Sequence, residues 1–437
     1  MQTNLSNARR AVLGLQHLFA MFGATILVPL ISGLSVQVTL VAAGVGTLIF
    51  HFVSKGKVPV FLGSSFAFLV GIGLITNPEI GVFAGEAMEQ TEKLAYATGG
   101  IMIAGFLYLI LALLVKIVGV KTFMKYLPTV VTAPTVILIG VMLAPFAISQ
   151  SANNLFLAIL TLVIIIFFAV WGKGMTKIIP ILLGIGGAYI IALIMHFAFG
   201  MTNPDGTPIL EFGTAATLSI NNLVGLPPFM APRFSVVTVL VMLPFALATI
   251  AEHIGDMVIL KRLSGQDYIT DPGLVRTLTG DGLATIFAGA IGGPATTTYS
   301  ENVGVVTLTK IFDPRVLQFA AIYAAVLGFS PLFASVVYSV PAAIIGGASF
   351  ILYGMIAAVG IRNLVDDQIN LADMKNCIII AVMLVTGLGL RFGPAITFTV
   401  GQTNIPVDRL GVAIAVILGM ILNIILPSAE EKKEEEK

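Results

Sequence analysis

The sequence predicts an all-α polytopic membrane protein of 14 transmembrane segments in two inverted repeats of seven, with short antiparallel strands interrupting segments 3 and 10. Three observations carry that reading. First, 57% of the 437 residues are apolar and only 10% are charged, with a mean hydropathy of +1.01. A soluble domain averages about 45–50% apolar and about 25% charged. Second, the charges fall in short clusters between apolar blocks, and about 20 apolar residues suffice to cross a bilayer. Third, the two halves match at one constant offset. LQHLFAMFGA (15–24) lies over AEHIGDMVIL (251–260), with His17 on His253. Gly44-Val45-Gly46 then falls on Gly280-Asp281-Gly282, and Gly63-Ser64-Ser65 on Tyr299-Ser300-Glu301.

The polar start, MQTNLSNARR, runs directly into the first segment at 13–34 and reads as the lead-in to a span, not as a cleaved leader. The next segments are 36–53, 58–75, 96–116, 127–147, 154–171 and 178–199. The second half supplies 234–260, 279–292, 294–309, 316–336, 341–361, 377–391 and 410–427. No charge lies between Lys125 and Lys173, and the polar stretch 149–154 divides that block into two spans joined by a turn. Segment 58–75 opens with Pro59 and carries Gly63-Ser64-Ser65; 279–292 and 294–309 are dense in Gly, Pro and Thr. Within them, 61–68 and 296–300 suit short facing strands, because Thr, Tyr and Phe favour extended backbone. A half-helix after each strand would aim its free N–H groups at a cavity. The end, SAEEKKEEEK, reads as a solvated tail.

Positive charge sets the orientation. With the N-terminus inside, only Lys93, Arg233, Arg391 and Arg409 of the 23 Lys and Arg fall in outside loops. Lys and Arg concentrate on the cytoplasmic side, so both termini are expected there, in a multi-pass protein of the cell (inner) membrane. Seven segments per half is odd, so the second half enters the bilayer from the opposite side. Secondary transporters with that architecture bind substrate at mid-depth, where interrupted helices meet.

Composition excludes other classes. A net charge of +1 leaves no nucleic-acid footprint. The single cysteine, Cys377, excludes disulfide frameworks and thiolate metal clusters, and reads as a small core residue. No metal or cofactor is expected. A zinc protease needs H-E-x-x-H, whereas here Glu252 precedes His253 and no second His follows. Ser64 or Ser65 with His17 suggests no oxyanion site, so an enzyme is not expected.

Ionisable groups inside spans are costly, and they are functional candidates by default. Glu252, His253 and Asp256 sit together in the eighth segment, with Glu252 and Asp256 four apart on one helix face. Glu301 follows the second candidate strand, and His17 lies in the first segment. A carboxylate shielded from water can take up and release a proton near neutrality, which makes proton coupling the natural expectation. Ser64, Ser65, Thr296, Thr297, Thr298 and Asn302 keep a sodium site open as the alternative. Asp281, in Thr-Gly-Asp-Gly, reads as a helix cap without function; His51 and His196 read as interfacial, and Trp171 as part of an aromatic belt.

The stretch 301–310, ENVGVVTLTK, fits the pattern (Q/E/P)-N-x-G-x-x-x-x-T-(R/K/G). With LQHLFAMFGATILVPL (15–30), GKVPVFLGSSFAF (56–68), AEHIGD (251–256) and TTTYSENVGV (296–305), the chain resembles nucleobase–cation symporter family 2, the nucleobase–ascorbate transporters. The resemblance spans about residues 13 to 427 and is closest to the bacterial uracil-permease branch, where the signature opens with Glu, as Glu301 does here. It implies a uracil:proton symporter with a core domain (1–125 and 233–340), a gate domain (126–232 and 341–428) and a cytoplasmic tail (429–437). It further implies that Glu252 and Glu301 bind the base, while the backbones of Phe66, Ser300 and Glu301 contact its polar edge. Ala24, Tyr299 and Tyr353 would pack on the ring. Glu252, Glu301, Asp256 and His253 would handle the proton. Homodimers through the gate domains are implied as well. Two positions depart from the branch: Ser300 stands where it has Gly, and Asp256 where it has His. Purine-carrying relatives usually have Gln in place of Glu301, which leaves a purine or xanthine permease as the alternative.

Overall fold

A ten-residue helix is about 15 Å long, half the hydrocarbon thickness of a bilayer. Two such helices, each entered from a buried strand, organise the molecule. The computed structural model describes residues 5–78, 81–120, 122, 128–210, 223–394, 396–400 and 403–427. Of Ser300, Glu301, Leu308, 397–400, 403–406, Asp408 and Arg409 it describes the backbone alone.

In the first half, α1 (Asn7–Ser32) and α2 (Val36–Val53) form a tight hairpin. Ser6 caps α1 by accepting from Arg9 N, Gly33 closes it in the left-handed region, and Ser35 caps α2. Strand β1 (Leu62–Ser64) then enters the half-helix α3 (Ala67–Thr76), followed by α4 (Gln90–Val118). Helices α5 (Thr129–Met142) and α6 (Ala144–Ala152) run on as one apolar stretch, and α7 (Leu155–Trp171), the short α8 (Met175–Ile178) and α9 (Pro180–Phe197) follow.

The second half opens with α10 (Val236–Ser264) and α11 (Leu274–Ala290). Strand β2 (Thr296–Thr298) leads into the half-helix α12 (Ser300–Thr309). Helices α13 (Pro314–Leu327) and α14 (Pro331–Tyr338) meet at 85°. Next come α15 (Ala342–Asp366) and α16 (Met374–Phe392), a hairpin of β3 (Thr397–Val400) and β4 (Thr403–Pro406), and α17 (Gly411–Ile425).

Among the described residues, eight helices are long and apolar enough to cross a membrane, or nine if α13 and α14 count as one crossing; α3, α7 and α17 are shorter apolar helices. The chain is a multi-pass membrane protein. Among the described residues its Lys and Arg ion pairs sit at helix ends and loops, including Arg10–Asp313 at 2.8 Å, Lys57–Asp271 at 2.6 Å, Lys261–Asp267 at 2.5 Å, and Arg233–Glu92. All but the part-buried Arg10–Asp313 are exposed, and such exposed pairs contribute about 0–1 kcal/mol each. The spans themselves are held by apolar packing and close backbone approach.

Several expectations change. Segment 316–336 is not one straight span. Pro331 has no N–H to donate, so it can open a helix but not continue one, and Ser330 caps the new helix by accepting from Phe333 N. The polar stretch 149–154 does not turn the chain at once: α6 continues to Ala152, and Asn154 caps α7 through Leu157 N. Helix α11 begins five residues before the expected 279, which puts Asp281 in its buried interior and not at a cap. His51 is buried, not interfacial, because its Nε2 donates to the Val60 carbonyl at 2.9 Å. Cys377 is exposed on α16 and is not a core residue. Lipid is as apolar as a protein core, so an outward thiol there carries no penalty.

The approach of α2 to α13 depends on Gly44. A Cβ there would run into the Ala321 carbonyl oxygen and lie 2.6 Å from Ala325 N. Gly186 on α9 has nothing within 4 Å. Gly44→Leu is therefore expected to cost about 1–3 kcal/mol through overpacking. Gly186→Leu should be near neutral. Thermal unfolding of both variants in detergent checks the contrast.

Candidate functional site

Strands β1 and β2 pair antiparallel, Leu62 opposite Thr298, Gly63 opposite Thr297 and Ser64 opposite Thr296. All six residues are buried. At membrane depth a strand edge cannot turn to water, so its polar groups need partners within the protein. Thr47 of α2 supplies them on one side, its hydroxyl accepting from Leu62 N at 2.9 Å and donating to Leu62 O at 3.1 Å. Thr285 of α11 donates to Thr296 O at 2.9 Å on the other. The ladder is extended by Ser65 N donating to Ala295 O at 2.8 Å and by Tyr299 N donating to Phe61 O at 3.0 Å. Helices α3 and α12 start directly from it. Their N-termini, with unsatisfied N–H groups and partial positive charge, are thus held to one small ladder.

Tyr299 is fixed at the end of β2. Its hydroxyl donates to Ser64 O at 2.8 Å, accepts from Thr25 Oγ1 at 3.2 Å and lies 3.1 Å from Ser64 Oγ. Ser64 Oγ lies 3.2 Å from the Thr25 carbonyl. The Tyr299 ring lies against Gly63, where a Cβ would fall inside it, 2.8 Å from Cε1. Ala24, beside Thr25, shares an apolar cluster with Tyr299. Phe66, at the start of α3, packs on that cluster and also on a second one containing Tyr353 of α15. Ala24, Phe66 and Tyr299 therefore share one apolar cluster, and Phe66 joins it to the larger cluster that holds Tyr353.

The ionisable residues line up on α10. Glu252 is half-buried, while His253 and Asp256 are buried. His253 Nδ1 lies 3.3 Å from Asp281 Oδ2, and the Phe50 ring stands edge-on to His253 at 6.1 Å. One turn earlier, Thr249 accepts from the Tyr108 hydroxyl of α4. The other repeat-matched histidine, His17, is held by Asn302, whose Nδ2 lies 3.2 Å from His17 O and 3.3 Å from His17 Nδ1. The backbone contact requires a nitrogen there, so His17 Nδ1 accepts and its proton sits on Nε2. Asn302 directly follows Glu301. The side chains of Ser300 and Glu301 lie outside the described residues; their backbone opens α12.

Two clefts reach toward this region. One of about 100 Å³ is bounded by Thr129 and Thr132 of α5, by Ala251, Ile254, Gly255, Val258, Ile259 and Arg262 of α10, and by Asn363, Asp366 and Asp367 of α15. A smaller one, about 20 Å³, separates Ala20, Gly23 and Ala24 of α1 from residues 178–182. No group of three or more His, Cys, Asp or Glu able to hold a metal occurs among the described residues. The arrangement can grip a flat ligand by its faces through aromatic rings and by its edge through helix N-termini and a carboxylate. Sequence reasoning missed Thr25, Tyr108 and the role of Asp281 as a partner. Only Asp281 had a signal, an acid inside an apolar segment, masked by its flanking glycines.

The Xan_ur_permease family model, described as "Permease family", matches residues 9–396. A "Uracil permease" of Bacillus subtilis (strain 168) is 39% identical over 434 residues, covering 96% of this chain and 93% of that protein. A "Uracil permease" of Escherichia coli (strain K12) is 32% identical over 438 residues, covering 97% and 92%. Among solved structures, the transmembrane domain of the cyanobacterial bicarbonate transporter BicA superposes with a TM-score of 0.62 at 16% identity, covering 97% of this chain and 99% of that one. The murine Slc26a9 anion transporter in the inward-facing state superposes with a TM-score of 0.66 at 13% identity, covering 97% and 69%. At those identities the likeness is one of fold.

The Tyr299 hydroxyl ties α1, β1 and β2 together. Tyr299→Phe should strand buried partners and cost about 1–3 kcal/mol. Thr25→Val should add less in that background than alone, because the two side chains share a hydrogen bond. A double-mutant cycle on thermal unfolding checks this.

Proposed function

From the premise that the chain belongs to this permease family, nucleobase–cation symporter family 2, we propose that it imports uracil across the cell membrane by proton symport. Its relatives are permeases, and the chain is a transporter, not an enzyme. The observation that carries the reading is the buried ladder of β1 and β2, from which two half-helices open beside Tyr299 and Phe66. Uracil is flat, with two ring N–H donors and two carbonyl acceptors. Glu252 and Glu301 accept from the N–H groups. Backbone amides at Phe66, Ser300 and Glu301 meet the carbonyls, while Ala24, Tyr299 and Tyr353 cover the ring. Such a site rejects analogues that leave a buried partner unpaired. Cytosine, with an amino donor in place of a carbonyl, would face an amide donor.

The fold is read as 14 segments in two inverted sevens, the half-helices being segments 3 and 10. A core (1–125 and 233–340) moves against a gate (126–232 and 341–428), with gate-to-gate homodimers in the inner membrane and both termini in the cytoplasm. The larger cleft supports this division, since it runs between α10, assigned to the core, and α5 and α15, assigned to the gate. Its lining includes Arg262, on the cytoplasmic side by the charge rule, so it serves as the exit for the base. Uracil and a proton enter from outside, the core shifts, and both leave inward. Glu252, Glu301, Asp256 and His253 carry the proton. The membrane potential assists with about 2.3 kcal/mol per charge per 100 mV.

The test is uptake of labelled uracil by proteoliposomes under an inward proton gradient, with xanthine as competitor. Accumulation that collapses with a protonophore and resists xanthine is expected. Uptake that follows sodium instead would overturn the proton role, and transport of xanthine alone would overturn the substrate. Glu301→Ala should abolish uracil binding. Glu252→Gln should impair gradient-driven accumulation more than uracil exchange, and equal loss of both would make Glu252 chiefly a binding group.

A further inference from the structure

Asp281 is an acid that the transport reading leaves without a task. It is fully buried in the interior of α11. On either side of it, Gly280 lets Phe50 close in and Gly282 lets Tyr108 close in; a Cβ at Gly282 would lie 2.6 Å from Tyr108 Cβ. An uncompensated charge in such a place costs several kcal/mol. The residue facing it is His253, Nδ1 to Oδ2 at 3.3 Å. His253 thus sets a polar ring against the acid where no water reaches it.

The geometry points to Asp281 as a positioning residue for Glu252, acting through His253; this rests on the reading that Glu252 binds the base. His253 directly follows Glu252, and successive residues on a helix are about 100° apart. Fixing the direction of His253 therefore fixes the direction in which Glu252 is presented. A single contact would leave α10 free to rock about it, but there are two. Thr249 lies one turn before His253 on the same face and is held by the Tyr108 hydroxyl from α4. The two anchors come from different helices, α4 and α11, which themselves pack closely through Gly105, Gly282 and Gly289. Rotation of α10 would break both. Pro244, five residues before Thr249 within α10, removes a helix hydrogen bond, so the helix beyond it needs such anchoring. The matched histidine is held in a parallel way: Asn302, next to Glu301, is locked to His17. Each candidate carboxylate thus has a chain neighbour pinned to another helix. At the position matching Asp281 in the first half stands Val45, so the acid serves the second half alone.

The test measures uracil binding by calorimetry on the purified full chain, with thermal unfolding run alongside to score the folded fraction. The series is wild type, Asp281→Ala, Asp281→Asn, His253→Ala and the double variant Asp281→Ala/His253→Ala. Asp281→Ala and His253→Ala should each weaken binding at least ~10-fold, about 1.4 kcal/mol. Asp281→Asn should recover to within about threefold of wild type, because its amide oxygen can stand where Asp281 Oδ2 stands, facing His253 Nδ1. The double variant should be no weaker than either single one, since both act through one contact. A folded Asp281→Ala that binds like wild type would overturn the proposal, as would an Asp281→Asn as weak as Asp281→Ala. Should Asp281→Ala fail to fold, His253→Ala and Asp281→Asn decide. Loss in the first with retention in the second supports the pair, and wild-type affinity in His253→Ala overturns it. Absence of uracil binding by the wild type would overturn the substrate reading and this proposal with it, whereas the outcomes above concern Asp281 alone.

Discussion

Backbone polar groups at membrane depth have no water to turn to, and the whole centre of this protein follows from that constraint. A helix satisfies its own interior N–H and C=O groups; a strand does not. Placing two three-residue strands in the middle of the chain's apolar mass therefore demands that they pair with each other and that their outer edges be closed by something else. Thr47 and Thr285, both on helices packed beside the ladder, do the closing. Once the ladder is satisfied, the helices that leave it are half-length. Their free N-termini become a polar surface in an otherwise apolar interior.

The same constraint governs the side chains. Several buried polar side chains near the ladder are tied to other elements. Tyr299 is bonded to Ser64 and Thr25, His17 to Asn302, and Tyr108 to Thr249, while His253 faces Asp281. The first three links staple the two halves of the chain to one another where apolar packing alone would let helices slide, and the last joins two helices of the second half. The Lys and Arg ion pairs among the described residues, by contrast, sit at helix ends and loops, and where water screens them their contribution is small. A site assembled this way holds its aromatic rings and helix N-termini in place, and a separate cleft lies between α5, α10 and α15.

The membrane class and the apolar segments were legible from composition alone, and so was family membership, through the 301–310 signature and its companions. Local punctuation misled in specific places. Thr279-Gly280-Asp281-Gly282 looks like the start of a helix because glycine and aspartate usually end regular structure. Here the glycines instead admit Phe50 and Tyr108, and the acid is carried by a histidine on another helix. Cys377 was read as core on its chemistry, which does not distinguish a protein interior from lipid. The kink between α13 and α14 was missed because hydropathy averages over a window and does not register a single missing N–H at Pro331.

What the sequence by itself determined is what sums locally. Apolar composition sets the solvent, runs of about 20 apolar residues set the crossings, and a short motif identifies the relatives. What only the tertiary structure decided is which polar groups meet. The partner of Asp281 lies on the preceding helix, α10, and those of Tyr299 on α1 and β1, far along the chain, and no periodicity encodes these meetings. Burial makes those meetings obligatory, because an unpaired polar group in a dry interior is expensive. The identity of each partner, however, emerges only when the helices have packed.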